Sequence, residues 1–311
     1  MKVARVWMFF MVSMLLLSVA ACSNESTETG NENEKIHVTT TIAQIADGVK
    51  NIGGEYVEVD SLMGPGDDPH LYKASHSDIQ KLQNADIIFY NGLHLEGKML
   101  EIFENMSKEK PAYAIAEAIP EEKLRKDPQD PNIIDPHIWF NIDLWKLALT
   151  EVKKGLIELD PEHKEEYEKN TEAYFAKLDQ LKKYAEEQMA LIPDSQRVLV
   201  TAHDAFNYFG AAYNMEVKGL QGLSTDSEYG LGDIQHIVDV LVERNIKAVF
   251  IESSISERSI QAVIEGAKKK GHDVSIGGEL YSDAMGEEGT EEGTYLGMYK
   301  HNVDTIVEAL K

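Results

Sequence analysis

The sequence predicts an α/β fold of two parallel-sheet lobes joined by one long rigid helix. Three observations carry that expectation. Short apolar or β-branched runs alternate with helical stretches from Lys35 onward; the alternation occurs once in each half; and the halves are separated by the longest amphipathic helical signal in the chain. No short-period repeat argues for a solenoid instead.

The N-terminus comes first. Lys2 and Arg5 precede an apolar run over residues 7–21, which ends in Ala20 and Ala21 directly before Cys22. That is the charged, apolar and small-residue order of a secretory signal. Fifteen helical residues span about 22 Å, short of the roughly 30 Å hydrocarbon core a permanent span must cross. Residues 23–34 contain Ser, Asn, Glu, Thr, Gly and no apolar side chain, which predicts a flexible tether. The expected organisation is a signal at 1–21, a tether at 22–34, a first lobe at 35–157, a connecting helix at 158–193 and a second lobe at 194–311.

In the first lobe, residues 36–42 (IHVTTTI), 57–63 (VEVDSLM), 85–90 (ADIIFY) and 112–115 are short and bounded by turn or charged residues, as strands are. Helical patterns fall at 77–83, at 98–109 and from Ile142. The connecting helix is expected to start at Pro161 with Asp160 as its cap and Glu162 favouring the dipole. Tyr167, Thr171, Tyr174, Leu178, Leu181 and Ala185 then recur in steps of four and three until Pro193. A rod of that length, about 46 Å, reaches along both lobes and resists large hinge bending. The second lobe repeats the scheme with strands at 197–201, 216–220, 248–252 and 273–276.

Composition excludes several functions. Fifty-four acidic residues against 30 basic ones give a net charge of -24, which leaves no basic footprint for nucleic acid. Loss of residues 1–21 would remove Lys2, Arg5 and no acid, taking the charge to -26. One cysteine closes no intramolecular disulfide and builds no cysteine-rich metal cage.

The chemistry concentrates in a few residues that follow strands: Asp68-Pro69-His70, Asp135-Pro136-His137, His203-Asp204 and Ser282-Asp283. Ligand groups of open parallel sheets gather at the carboxyl ends of strands, and imidazole with carboxylate suits a divalent transition metal. The aspartate two residues before a histidine can accept its free ring N–H and fix the tautomer. His94 and Glu96 would share a face if extended and form a weaker candidate pair. Thr225-Asp226-Ser227-Glu228 reads as a capping box for the helix that follows. His76, His163, His236, His272 and His301 lie in polar stretches and read as solvated, and His37 as packed within its strand.

The segments MGPGDDPHLYKAS (63–75), NGLHLEGKM (91–99), DPHIWF (135–140), VTAHDAFNYFG (200–210), VKGLQGLSTDSEYG (217–230) and GGELYSDAMG (277–286), together with VAAC at 19–22, resemble the metal-binding lipoproteins of bacterial manganese and zinc ABC transporters. This is the TroA-like, cluster A-I solute-binding family, and the likeness is greatest to its manganese branch. The resemblance implies one metal ion in the cleft between the lobes, held by His70 and His137 from the first and His203 and Asp283 from the second. Some relatives carry glutamate at the third position; His203 puts this chain with the three-histidine subgroup. The resemblance further implies lipid attachment at Cys22, a location on the extracytoplasmic face of the bacterial membrane, a monomer, and the permease and ATPase subunits of an ABC importer as partners.

The expected cargo is Mn2+, with Zn2+ next, because the stretch between His94 and His137 lacks the histidine-rich loop of many zinc-importing relatives. The alternatives are a zinc-specific importer component of the same fold and a secreted metal-dependent hydrolase. Neither HExxH nor GxSxG occurs, and the expectation is a binding protein rather than an enzyme.

Overall fold

The first four strands align in parallel because each is returned to the sheet by a crossover. The protein is described here from a computed structural model covering residues 35–127 and 130–311. The expected signal, Cys22 and the tether lie outside the described residues. Strands β1 (Ile36–Thr40), β2 (Val57–Ser61), β3 (Ile87–Tyr90) and β4 (Ala112–Ala114) form one sheet in the order β2-β1-β3-β4. Register runs from Ile36 opposite Val57 to Thr40 opposite Ser61, and Val38 opposite Ile87 on the other side. The chain order therefore reverses at β1, and the carboxyl ends of β1 and β3 bound the crevice where such sheets collect ligand groups.

Helices α1 (Ala43–Gly53), α2 (His76–Asn84), α3 (Leu100–Met106) and α4 (Ile142–Leu159) belong to this half. α2 starts in a capping box in which Ser75 and Asp78 bond each other's backbone N–H. Asn141 caps α4 through the N–H groups of Asp143 and Leu144.

The connecting helix α5 runs over Lys164–Met189, after a single 3-10 turn at Pro161–His163. All six apolar or small positions read from the sequence are buried, with Met189 continuing the stripe. Its start differs from expectation. The Asp160 carboxylate is taken by the ring N–H of His163 at 2.6 Å and the Tyr167 hydroxyl at 2.7 Å, and the α-helix proper begins three residues later. Tyr174 ties α5 to the first half through Asp47 (2.8 Å), and Tyr184 ties it to the second through Asp304.

The second half holds β5 (Val198–His203), α6 (Asn207–Tyr213), β6 (Glu216–Gln221), α7 (Leu231–Glu243), β7 (Ala248–Glu252), α8 (Arg258–Lys269), β8 (Ser275–Leu280) and α9 (Tyr295–Leu310). β5 pairs with β6 and β7 with β8, both in parallel, and β5 lies beside β7. β5 and β8 run further than the sequence predicts. His203 is thus the last residue of a strand, and Gly277 and Gly278 lie inside one.

Alternation along these strands separates two cores. Leu199, Ala248 and Phe250 face a cluster continuous with the whole first half, including Phe89, Trp139, Trp145, Tyr174 and Tyr299. Val198, Val200, Ala202 and Val249 face a smaller cluster under α7 and α8. The larger core carries its own polar staples, since the buried hydroxyls of Tyr295 and Tyr299 donate to the carbonyls of Trp139 and Phe140. Among the described residues, no helix is long and apolar enough to cross a membrane.

Candidate metal centre

Four side chains predicted from the sequence meet at one point. Ligating atoms of His70, His137, His203 and Asp283 all lie within 4.8 Å of one another. Their exposures are 4%, 0%, 0% and 1%. The Nε2 atoms of His70 and His137 are 3.3 Å apart, His137 Nε2 is 3.4 Å from Asp283 Oδ1, and His203 Nε2 is 3.3 Å and His70 Nε2 3.6 Å from Asp283 Oδ2. In a tetrahedral cage, donor separations of that size correspond to metal–ligand bonds of about 2.0–2.2 Å. His203 Nε2 and both Asp283 oxygens are buried without any hydrogen-bond partner, a costly arrangement for a protein to keep unless something else satisfies them. The set could hold a metal ion.

Each donor is aimed by a particular part of the chain. His70 follows β2 in a loop where Asp68 Oδ1 accepts its backbone N–H at 2.9 Å. Asp135 Oδ1 accepts both the backbone N–H of His137 (3.0 Å) and its ring Nδ1–H (2.7 Å). The expected tautomer-fixing role therefore holds at Asp135, whereas Asp68 grips the backbone and not the ring. His203 has a partner that sequence reasoning missed. Glu252, the last residue of β7, accepts the His203 backbone N–H at 2.9 Å, and its other oxygen lies 2.6 Å from Nδ1. With Nδ1 facing a carboxylate in both residues, Nε2 is the atom each ring presents to the centre. Glu252 was hidden because AVFIE reads as a strand whose final acid could equally be solvated. Only the neighbouring strand β5 shows what it faces.

Asp283 is held from behind by its main chain. Gln44 Nε2, from the second residue of α1, donates to the Asp283 carbonyl at 3.1 Å, and Trp139 Nε1 donates to the Ser282 carbonyl at 3.1 Å. Two residues of the first half thus fix the segment that carries the acid from the second. Close packing does the same for His203. A Cβ on Gly219 of β6 would sit 2.4 Å from the backbone nitrogen of Asp204, so only glycine lets β6 pass.

The charges are strongly coupled. Burial opposes ionisation of Asp283, yet His203 and His137 hold its carboxyl well below the usual range. Burial likewise works against a charge on His137, but Asp135 and Asp283 outweigh it and push the ring up to about 9. His203 is raised well above the ordinary imidazole value by Glu252 and Asp283, against burial. His70 lacks a comparable carboxylate partner, and burial lowers it to about 3.

Other sequence candidates resolve differently. His94 and Glu96 are not extended: Leu93 and His94 have φ of 53° and 64°, in a turn that leaves His94 exposed. Glu96 is fully buried as a structural acceptor for the Thr41 hydroxyl (2.6 Å) and the N–H groups of Asn91 (2.8 Å) and Gly92 (3.1 Å). Thr225 and Glu228 form no capping box: α7 starts after Gly230, whose backbone N–H donates to Asp233 Oδ2 at 2.8 Å. His37 is exposed and faces Glu58 at 3.6 Å, because alternation along β1 turns it away from the core. Four histidines read as solvated have partners: His163 stacks on Tyr56 with ring centroids 3.9 Å apart, and Nε2 of His272, His301 and His76 lies 2.6 Å from the Ile246 carbonyl, 3.1 Å from the Glu279 carbonyl and 3.4 Å from the Gln80 amide.

Residues 38–309 match the family described as ZnuA, zinc-uptake complex component A, periplasmic. The manganese-binding lipoprotein MntA of Bacillus subtilis is 52% identical over 97% of this chain and 99% of its own length. Zinc-binding protein TroA of Treponema pallidum is 47% identical over 88% of each chain. The solved structure of the periplasmic zinc-binding protein TroA from Treponema pallidum aligns with a TM-score of 0.86 at 46% identity, covering 89% of this chain and 99% of that one. A match that runs from the first strand into the last helix is a match of the whole fold, and the chain belongs to the ZnuA family of periplasmic zinc-uptake components.

Proposed function

We propose that this protein is an extracytoplasmic binding lipoprotein that captures a divalent transition metal between His70, His137, His203 and Asp283 and hands it to the permease and ATPase subunits of an ABC importer. The observation that carries the reading is the convergence of four buried side chains, two from each half, with His203 Nε2 and both Asp283 oxygens lacking a hydrogen-bond partner. Enclosure on that scale favours capture over turnover, since hydrolysis needs a coordination position open to water and substrate.

Manganese is the proposed cargo. Asp283 presents Oδ1 towards His137 and Oδ2 towards His70 and His203, so its carboxylate is oriented to give two oxygens to one ion. Five donors with more oxygen suit manganese better than zinc, which is content with four. The 52% identity to a relative named for manganese supports the same reading. Zinc is the second reading, because any nitrogen and oxygen site binds it more tightly than manganese and the relative at 47% identity is named for zinc.

The rest of the proposal concerns delivery. Residues 1–21 are removed as a signal, Cys22 carries a lipid, residues 22–34 form the tether, and a monomer with lobes at 35–157 and 194–311, joined through 158–193, works at the outer face of the cell membrane. Uptake of labelled manganese and zinc, measured separately in cells with and without this protein, tests the function. Manganese uptake is expected to fall in its absence; loss of zinc uptake alone would favour the second reading.

A further inference from the structure

Two polar contacts cross the cleft from one short stretch of the second half. Thr225 Oγ1 donates to Asp68 Oδ2 at 2.6 Å, and Lys98 Nζ donates to Asp226 Oδ2 at 2.8 Å. Both come from the strap at residues 222–230 that links β6 to α7. Thr225 is buried at 9% exposure, while residues 226–230 are exposed. The strap is folded on itself by Gln221, whose Nε2 donates to the Thr225 and Ser227 carbonyls at 3.1 and 3.2 Å. It contributes no side chain to the cap of α7, which Gly230 and Asp233 form between them. The Thr225 hydroxyl therefore has a role other than starting a helix.

That role follows from its acceptor. Asp68 uses Oδ1 to hold the backbone N–H of His70 and Oδ2 to receive Thr225, so a single carboxylate joins a donor of the first half to a strap of the second. We propose that Thr225 is a positioning residue that fastens the strap across the filled metal site and slows release of the ion. The proposal rests on the metal-capture reading given above. A hydroxyl donating to a partly buried carboxylate is a charge-assisted bond, whereas Lys98 and Asp226 are an ion pair with side chains 37% and 57% exposed. Thr225 is thus the principal fastener and Lys98 an auxiliary one. On this proposal the strap shuts after the ion has entered, so loss of the bond acts on departure and not on arrival.

The experiment uses the full chain loaded with Mn2+ or Zn2+. Release is followed by rapid mixing with a chelator, and capture by mixing metal-free protein with the same ions. Thr225→Val keeps the shape and removes the donor, Thr225→Ala is a second removal, and Thr225→Ser restores the hydroxyl. About tenfold faster release in the valine and alanine variants is expected, with capture within about twofold of native and native release in the serine variant. Unchanged release in Thr225→Val, equally fast release in Thr225→Ser, or equal acceleration of capture and release would each overturn the fastening role. Native protein that takes up neither metal would overturn the capture reading as well, which separates the two failures.

Discussion

At the scale of single residues, the proposed metal centre balances a carboxylate against protons that an incoming ion would have to displace. With His137 pushed up to about 9, its ring carries a proton at pH 7 in the ion-free protein. Coordination through Nε2 requires that proton to leave, so acid competes with metal and affinity rises with pH up to about 9. Calorimetry in buffers of different ionisation heat is expected to show release of at least one proton per ion at pH 7; a heat independent of buffer would contradict this. Removal of a donor is a sharper test. His203→Ala or Asp283→Ala should weaken manganese and zinc binding at least a hundredfold, because truncation also leaves the remaining buried groups unpaired. The four side chains that converge were legible in the sequence through their placement after strands and their resemblance to known motifs. Glu252, Gln44 and Trp139 were not, because what they bond lies 49, 239 and 143 residues away in the chain.

At the scale of elements, the long helix is where sequence and structure agree most closely. Its buried stripe follows from a 3.6-residue period that needs no tertiary information, and every position read from it is buried. Agreement fails where a polar side chain had two possible partners. Asp160 was read as a cap and serves Tyr167 and His163, and Thr225 was read as a cap and serves Asp68. Local rules name a nearby backbone N–H, and tertiary contact outbids it. The strand ends were underestimated for a related reason: Gly277 and Gly278 look like a turn, yet the second is needed where a side chain would meet Thr305. Gly219→Ala tests such crowding on β6. It should cost about 1–3 kcal/mol in urea denaturation and weaken metal binding, since the added carbon pushes on the His203–Asp204 peptide. Native stability with native affinity would show that β6 has room to shift.

For the molecule as a whole, the proposed metal capture predicts a link between binding and folding. If the ion binds only the folded chain, a thousandfold excess over the dissociation constant stabilises it by about 4 kcal/mol. A melting temperature indifferent to manganese, zinc and chelator would argue against capture. Replacing Cys22 with serine should release the protein from membranes, and continued retention would remove the lipid-anchor proposal. The net charge of -24 has only a small part in this, because attraction beyond about 8 Å is screened at physiological salt. The two-lobed plan was legible from the repeated alternation of strands and helices, but the merging of the cores was not: it depends on which face of β5 and β7 turns toward the larger cluster.

That merging has a practical consequence. Leu199, Ala248 and Phe250 share one apolar body with Phe89 and Trp145, and the tyrosines of α9 are pinned to carbonyls beside the donor His137. A sensor made by attaching two fluorophores to opposite halves would therefore report almost no change when cargo arrives. A single environment-sensitive dye near Tyr229, at the outer edge of the strap, is the better place to watch the ion leave.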